Sequence, residues 1–246
     1  MIPYERRKQM LQQLEESELV TLEDFCEVLP GVSQSTVRRD LKTLEDEGHI
    51  VLLRGGAARL KKGLTDTPVN ARSILHVKEK EIIAKCAAAL VKDGEVIYLD
   101  SGSTPMRMVK HLRDKQITIV TTSATIFQEM EGRSAECIIV GGEINFNTGS
   151  IIGTLTNSLL KDIFFDKAFI GASGFSLQAG INTPDLRETQ KKQIVKENSK
   201  EAFVLADHFK AGKTTMCKIF EMGEVTIICD QESELLTSSG NYIIAQ

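Results

Sequence analysis

The sequence predicts a small helical N-terminal domain closed by a short hairpin, then a larger α/β domain with a mainly parallel sheet. Three observations carry this reading. Up to about Gly48, apolar residues recur at the three-to-four-residue spacing of amphipathic helices. Beyond about Lys78, short apolar runs alternate with helical or loop stretches, the pattern of an α/β fold. Between them lies a polar stretch containing Gly63 and Pro68. The expected division is a first domain over 1–57, a linker over 58–77 and the α/β domain over 78–246.

Met10, Leu11 and Leu14 recur at helical spacing, so Tyr4 to about Glu16 reads as a helix. Thr21 is an N-cap for a second helix, Leu22 to about Val28, with Asp24 as a first-turn acid. Leu29-Pro30-Gly31-Val32 breaks it. Ser33 caps a third helix that runs to about Glu47 and stops at Gly48. The apolar run His49 to Leu53 and the turn Arg54-Gly55-Gly56-Ala57 complete the order of a winged helix-turn-helix. In the second half, a helix around Lys78 to Val91 precedes a strand at Val96 to Leu99. Further strands are expected at Ile117–Val120, Cys137–Val140, Ala168–Ile170, Ala202–Leu205 and Val225–Cys229.

Composition excludes several classes. No apolar run reaches the roughly 18–20 residues of a membrane span, and the first 13 residues lack an apolar signal-type stretch, so a cytoplasmic location without membrane contact is expected. The five cysteines form no C-x-x-C pair and read as reduced, mostly buried thiols, and the four histidines have no metal-ligand spacing. No cofactor or metal is therefore expected. Net charge is −4, and the first 62 residues carry ten Lys and Arg against eleven Asp and Glu. A case for nucleic acid must rest on where the charges lie. Two stretches are locally basic, Arg38, Arg39 and Lys42, and Arg54, Arg59, Lys61 and Lys62.

On the third helix, Val37, Leu41 and Leu44 share one face, whereas Ser35, Arg39, Lys42 and Asp46 fall opposite with Arg38 beside them. A major-groove reader needs hydroxyls for phosphates and guanidiniums for guanine edges in that placement. A solvated amphipathic helix would show the same stripe. The two preceding helices and the glycine-bounded wing favour operator double-stranded DNA as a partner. The run VSQSTVRRDLKTLEDEGHIVLLRGGA then resembles the N-terminal signature of DeoR-family bacterial regulators. The resemblance implies that Ser33, Ser35, Thr36, Arg38 and Arg39 belong to the recognition region and Arg54 to the wing. Lys42 joins them from its place on the helix.

Four polar loops follow predicted strands: Asp100 to Pro105, Thr121-Thr122-Ser123, Gly141-Gly142-Glu143 and Gly171 to Gly174. In the first, Thr104 and Pro105 suit the start of a helix expected over Pro105 to Leu112, whose free N–H groups would cradle an anion. Ligands of open α/β sheets bind beyond the carboxyl ends of the strands, which makes Thr122, Ser123, Gly142 and Gly171 further candidates. Each loop alone reads as a plain turn; four together point to a site. LDSGST, VGGEIN, DKAFIGASG and LADHFKAGK resemble the sugar-phosphate-sensing domain of the same family, itself similar to ribose-5-phosphate isomerase. That likeness implies that Ser101, Gly102, Ser103 and Thr104 hold phosphate, with Asp100, Asp207, Lys210 and Lys213 around the ligand. Pro105 stands where family members commonly have Thr, which removes one hydroxyl and one N–H.

Two alternatives are weighed. Ala211-Gly212-Lys213-Thr214 imitates the end of a phosphate-binding loop, but Asp207 occupies the position of its first Gly. A sugar-phosphate isomerase with an accessory N-terminal domain is the rival function. The isomerases carry Gly-Ala-Asp where this chain has Gly171-Ala172-Ser173, and their general-base glutamate falls near Lys192. Serine and protonated lysine do not replace those acids. The expectation is a non-enzymatic regulator, a repressor of carbohydrate genes released by a phosphorylated sugar or related metabolite, acting as a homodimer or higher oligomer.

Overall fold

Pro3 occupies the first turn of α1 (Pro3–Glu16), where its missing N–H costs nothing. Thr21 and Asp24 close a reciprocal capping box on α2 (Leu22–Val28). Gly31, at φ +81°, turns the chain into α3 (Gln34–Asp46), whose Thr36 N–H donates to Ser33 Oγ. Gly48, at φ +78°, ends that helix with a left-handed residue. β1 (Ile50–Leu52) and β2 (Ala58–Leu60) form the antiparallel wing, Ile50 facing Leu60. Leu14, Phe25, Val37, Leu41 and Leu44 are buried in one core, and Arg6 pairs with the buried Asp40 at 2.6 Å, tying α1 to α3. The computed structural model describes residues 1–17, 19–60, 69–130, 132 and 134–246. They divide into two units, Met1–Leu75 and His76–Gln246.

The linker expected over 58–77 is not a structureless connection. Ala58–Leu60 is the second wing strand, and α4 (Val69–Ile74) is helical. Three residues are too few for periodicity to reveal a strand, which exists here through its pairing with β1. Residues 61–68, with Lys61 and Lys62, lie outside the described residues.

The second unit opens with α5 (Val77–Ala89) and β3 (Val96–Leu99). There follow β4 (Thr118–Thr121), α6 (Phe127–Met130), β5 (Glu136–Ile139), a hairpin of β6 (Glu143–Asn145) and β7 (Ser150–Ile152), and α7 (Thr154–Leu160). Then come β8 (Phe165–Gly171), β9 (Gly174–Ser176), β10 (Gly180–Thr183), α8 (Leu186–Glu197) and β11 (Ser199–Leu205). β12 (Cys217–Phe220), β13 (Thr226–Cys229), α9 (Glu234–Ser239) and β14 (Tyr242–Ile244) complete it. Seven strands form one sheet in the order β14-β13-β11-β8-β3-β4-β5, every neighbouring pair parallel. Alternate residues feed two cores, Tyr98, Ala168 and Ile170 on one face and Ile97, Leu99 and Phe169 on the other. Burial on both faces is why these strands read as unbroken apolar runs.

The stretch after Thr104 differs from the expected α-helix. Pro105–His111 is a 3-10 helix, and the Thr104 side chain caps nothing. Pro105 lacks an N–H, so the first bonds run from Met106 N to Gly102 O and from Arg107 N to Thr104 O, the latter closing a tight i,i+3 turn. All five cysteines are free; Cys229 alone is buried and the other four are half-buried, less enclosed than expected. Among the described residues, no helix is long and apolar enough to cross a membrane.

Candidate functional site

The sheet order reverses at β3: the chain adds β4 and β5 on one side and later β8, β11, β13 and β14 on the other. The carboxyl ends of β3 and β8 therefore flank the switch point where open α/β sheets bind ligands. Asp100 and Gly171 sit at those two ends. The Asp100 carboxylate is buried and accepts from Gly171 N at 2.9 Å and Ser101 N at 2.9 Å. A Cβ on Gly102 would lie 3.6 Å from Gly171 Cα and 3.3 Å from Pro105 Cδ, so the two loops meet backbone to backbone.

Beneath them α8 presents an ionic cluster. Asp185 caps the helix by accepting from Arg187 N, and the next turns bury Glu188, Lys191 and Lys192. Lys192 Nζ donates to Gly171 O at 2.8 Å and lies 3.3 Å from Asp100 Oδ2. Lys191 Nζ donates to Ser150 Oγ at 2.6 Å, Glu188 Oε1 at 3.2 Å and Ile151 O at 3.4 Å, and stands 3.9 Å from Asp100 Oδ1. Burial alone would raise the Asp100 carboxyl above its usual range. Lys192 and Lys191, with the two backbone N–H groups, outweigh it and hold the group low. Asp100 is thus a fixed anion neutralised in place. Three acceptors occupy the three protons of Lys191, so this ammonium is a strut of the site.

Other groups here are left with bonding capacity. Ser101, Ser103 and Thr104 are buried, and Thr104 Oγ1 has no hydrogen-bond partner among the described residues. Asp207 follows β11, the strand beside β8, and is 1% exposed; neither of its oxygens accepts a hydrogen bond from a described residue. Lys210 Nζ approaches Asp207 Oδ2 only to 4.0 Å. A buried carboxylate of that kind has unused capacity to accept hydrogen bonds. Between these two residues, Phe209 stacks on His76 with centroids 3.7 Å apart. His76, at φ +51° and ψ +43°, is the one left-handed non-glycine among the described residues and the first of the second unit.

The remaining predicted residues are placed differently. Thr122 Oγ1 bonds Tyr98 Oη at 2.7 Å inside the core. Ser123 takes its N–H to Thr121 Oγ1 and its Oγ to Thr125. Gly142 is demanded by packing, since a Cβ there would sit 1.9 Å from Thr156 Oγ1. Lys213 is exposed, and its carbonyl accepts from Asn182 Nδ2. The first and fourth loops are therefore brought together, whereas Thr122, Ser123 and Gly142 use these groups within the protein. Glu188 and Lys191 were not anticipated, and Lys192 was read only as the place of a missing base.

In the first unit, Ser33, Ser35 and Thr36 hydroxyls bond one another at 2.9–3.0 Å. Arg38, Arg39 and Arg54 are exposed and make no side-chain hydrogen bond or ion pair among the described residues. Lys42, also exposed, is shared between Glu45 at 2.9 Å and Asp46 at 3.0 Å.

Comparison with known proteins bears on both units. A family profile described as the DeoR-like helix-turn-helix domain matches residues 6–63, and the DeoR C terminal sensor domain matches residues 75–231. The chain belongs to the DeoR family. This DeoR-family regulator is 33% identical over 236 residues to the uncharacterized HTH-type transcriptional regulator FruR of Bacillus subtilis (strain 168), covering 96% of this chain and 94% of that one. It is 34% identical over 199 residues to the HTH-type transcriptional regulator IolR of the same organism, covering 80% and 78%. The lactose phosphotransferase system repressor of Staphylococcus aureus (strain NCTC 8325 / PS 47) is 28% identical, covering 85% of each chain. Among solved structures, ribose 5-phosphate isomerase A of Methanocaldococcus jannaschii matches at TM-score 0.39 and 25% identity over 54% of this chain and 53% of that one. A score of that size carries no argument. These relatives are named as regulators and a repressor, and membership places the chain among transcriptional regulators rather than enzymes.

Proposed function

We propose that this DeoR-family regulator is a cytoplasmic repressor of carbohydrate-metabolism genes, released from operator DNA by a phosphorylated sugar or related metabolite. In this reading α3 enters the major groove with Arg38 and Arg39, and Arg54 follows on the wing. The effector's phosphate meets Ser101 to Thr104, and its hydroxyls meet Asp207 and Lys210. The observation that carries the sensing half is the buried Asp207 carboxylate, without a hydrogen bond among the described residues, one strand from the switch point. A polyol supplies the missing donors, and the hydroxyl-rich first loop suits an anion. The name of the lactose phosphotransferase system repressor supports the class of ligand. Release requires that the effector bind the DNA-incompetent arrangement more tightly.

Gly102→Glu tests this reading. The new side chain would press on Pro105 and Gly171 and set a carboxylate where the phosphate must lie. The folded variant, checked by circular dichroism, is expected to bind operator as wild type does and to stay bound when effector is added. Effectors come from a thermal-shift screen of phosphorylated sugars, since a ligand of the folded state raises its melting temperature. Release of the variant at wild-type effector concentrations would remove the phosphate from this loop.

A further inference from the structure

β5 ends the seven-stranded sheet, and its outer edge pairs with no strand among the described residues. Such an edge offers a row of free backbone groups and is ordinarily blunted by charge, proline or a cover. Here the only charge on the strand is Glu136 at its start. From Ile138 to Leu160 the chain carries one charged residue, Glu143, in a protein in which charged residues make up 26%. In the same stretch Phe146 is 91% exposed and Leu155 61%, and Ile138, Ile139, Ile144 and Leu159 lie between 42% and 46%.

These side chains belong to elements held together. Thr156 Oγ1 of α7 donates to Gly141 O, in the bend between β5 and the β6–β7 hairpin, and Gly142 packs against the same hydroxyl. Ile151 N donates to Thr122 O, fixing the hairpin beside the end of β4, the neighbour of β5. Leu155 and Leu159, four residues apart on α7, lie on one helix face.

We infer that the β5 edge, the β6–β7 hairpin and the outer face of α7 form the surface on which a second copy of this chain docks. Two arguments select a second copy. With about 200 Å² for a fully exposed large apolar side chain, and with only one of the neighbouring Ile138 and Ile139 counted because successive strand residues point to opposite faces, five residues offer roughly 570 Å², the larger part of the ~800 Å² that each partner gives to a standard interface. A two-fold interface also sets a patch against itself, so a charged patch would repel its own image and a nearly uncharged one does not. The same surface is one hydrogen bond from the ionic cluster, because Ser150 of β7 accepts from Lys191.

The test is sedimentation velocity of the full chain over a concentration series, for wild type, Phe146→Asp, Leu155→Asp and the control Leu177→Asp. Leu177 is 69% exposed in the turn between β9 and β10, which belong to a different sheet from β5 and from the β6–β7 hairpin. Wild type and the control should associate alike, and each of the other two variants should weaken association at least tenfold with an unchanged circular dichroism spectrum. Glu143→Gln, which removes the one charge, should leave association intact or strengthen it. A monomeric wild type, association retained in both Phe146→Asp and Leu155→Asp, or dissociation in the control would overturn the assignment.

Discussion

Lys191→Met removes one ammonium from a cluster in which Asp100, Glu188, Lys191 and Lys192 are all buried. Methionine has nearly the length of the lysine stem, so little cavity is opened; what is lost is charge and three donated hydrogen bonds. Glu188 keeps Lys192 at 3.7 Å, and Asp100 keeps Lys192 at 3.3 Å, so one cation is left to serve two carboxylates. Removing one member of a buried pair costs about 3–5 kcal/mol, because the partner charge stays desolvated. For a domain of about 170 residues, that is a fall of roughly 6–20 °C in melting temperature. Differential scanning calorimetry of the full chain should show the transition of the His76–Gln246 unit moving by that amount. The double variant Lys191→Met with Glu188→Gln removes a charge of each sign and should recover part of the loss. A single variant that melts within about 2 °C of wild type would mean that Lys191 is not a strut, and the rigid placement of Asp100 would need another cause.

Two further outcomes are expected. Arg38→Ala and Arg39→Ala should each weaken operator binding by about 1–3 kcal/mol in gel-shift titrations at fixed salt, while Lys42→Ala changes it far less because Glu45 and Asp46 already hold that ammonium. Buried His49 has its imidazole pKa pushed down chiefly by desolvation, against the raising effect of Glu47; the unfolded chain therefore takes up the proton first, and stability of the Met1–Leu75 unit should fall as pH drops through about 6.5. Amide hydrogen exchange at Val37 and Leu41 reads this, and protection that does not change from about pH 7 to about pH 5 would contradict it.

The first unit was legible because its signals are local. Thr21, Ser33 and Gly48 act on the backbone within three residues of themselves, and Val37, Leu41 and Leu44 face inward by helical period alone. The five central strands, β13, β11, β8, β3 and β4, could be read for a related reason: a strand buried on both faces is apolar throughout, whereas the edge strand β5 was legible from its apolar run alone. β2 and β14 span three residues each and are strands only because a neighbour pairs with them. The first and fourth loops were also within reach, since each follows a strand that the sequence announces.

What the sequence could not disclose is the inner face of α8. Glu188, Lys191 and Lys192 are charged, and periodicity assigns charged positions to solvent. They are buried because Asp100, Gly171 O and Ser150 Oγ, contributed from 21 to 92 positions away, satisfy the two lysines, which in turn pair with Glu188. The same holds for Thr122 and Gly142, whose loop sequences resemble ligand loops until Tyr98 and Thr156 are seen to occupy them. Residue type and spacing determined which loops end the strands. Only the tertiary structure decided which polar groups are paired within the protein and which, like Asp207 and Thr104, have side-chain oxygens with no hydrogen-bond partner among the described residues, because a hydrogen bond between distant segments leaves no periodic trace in either.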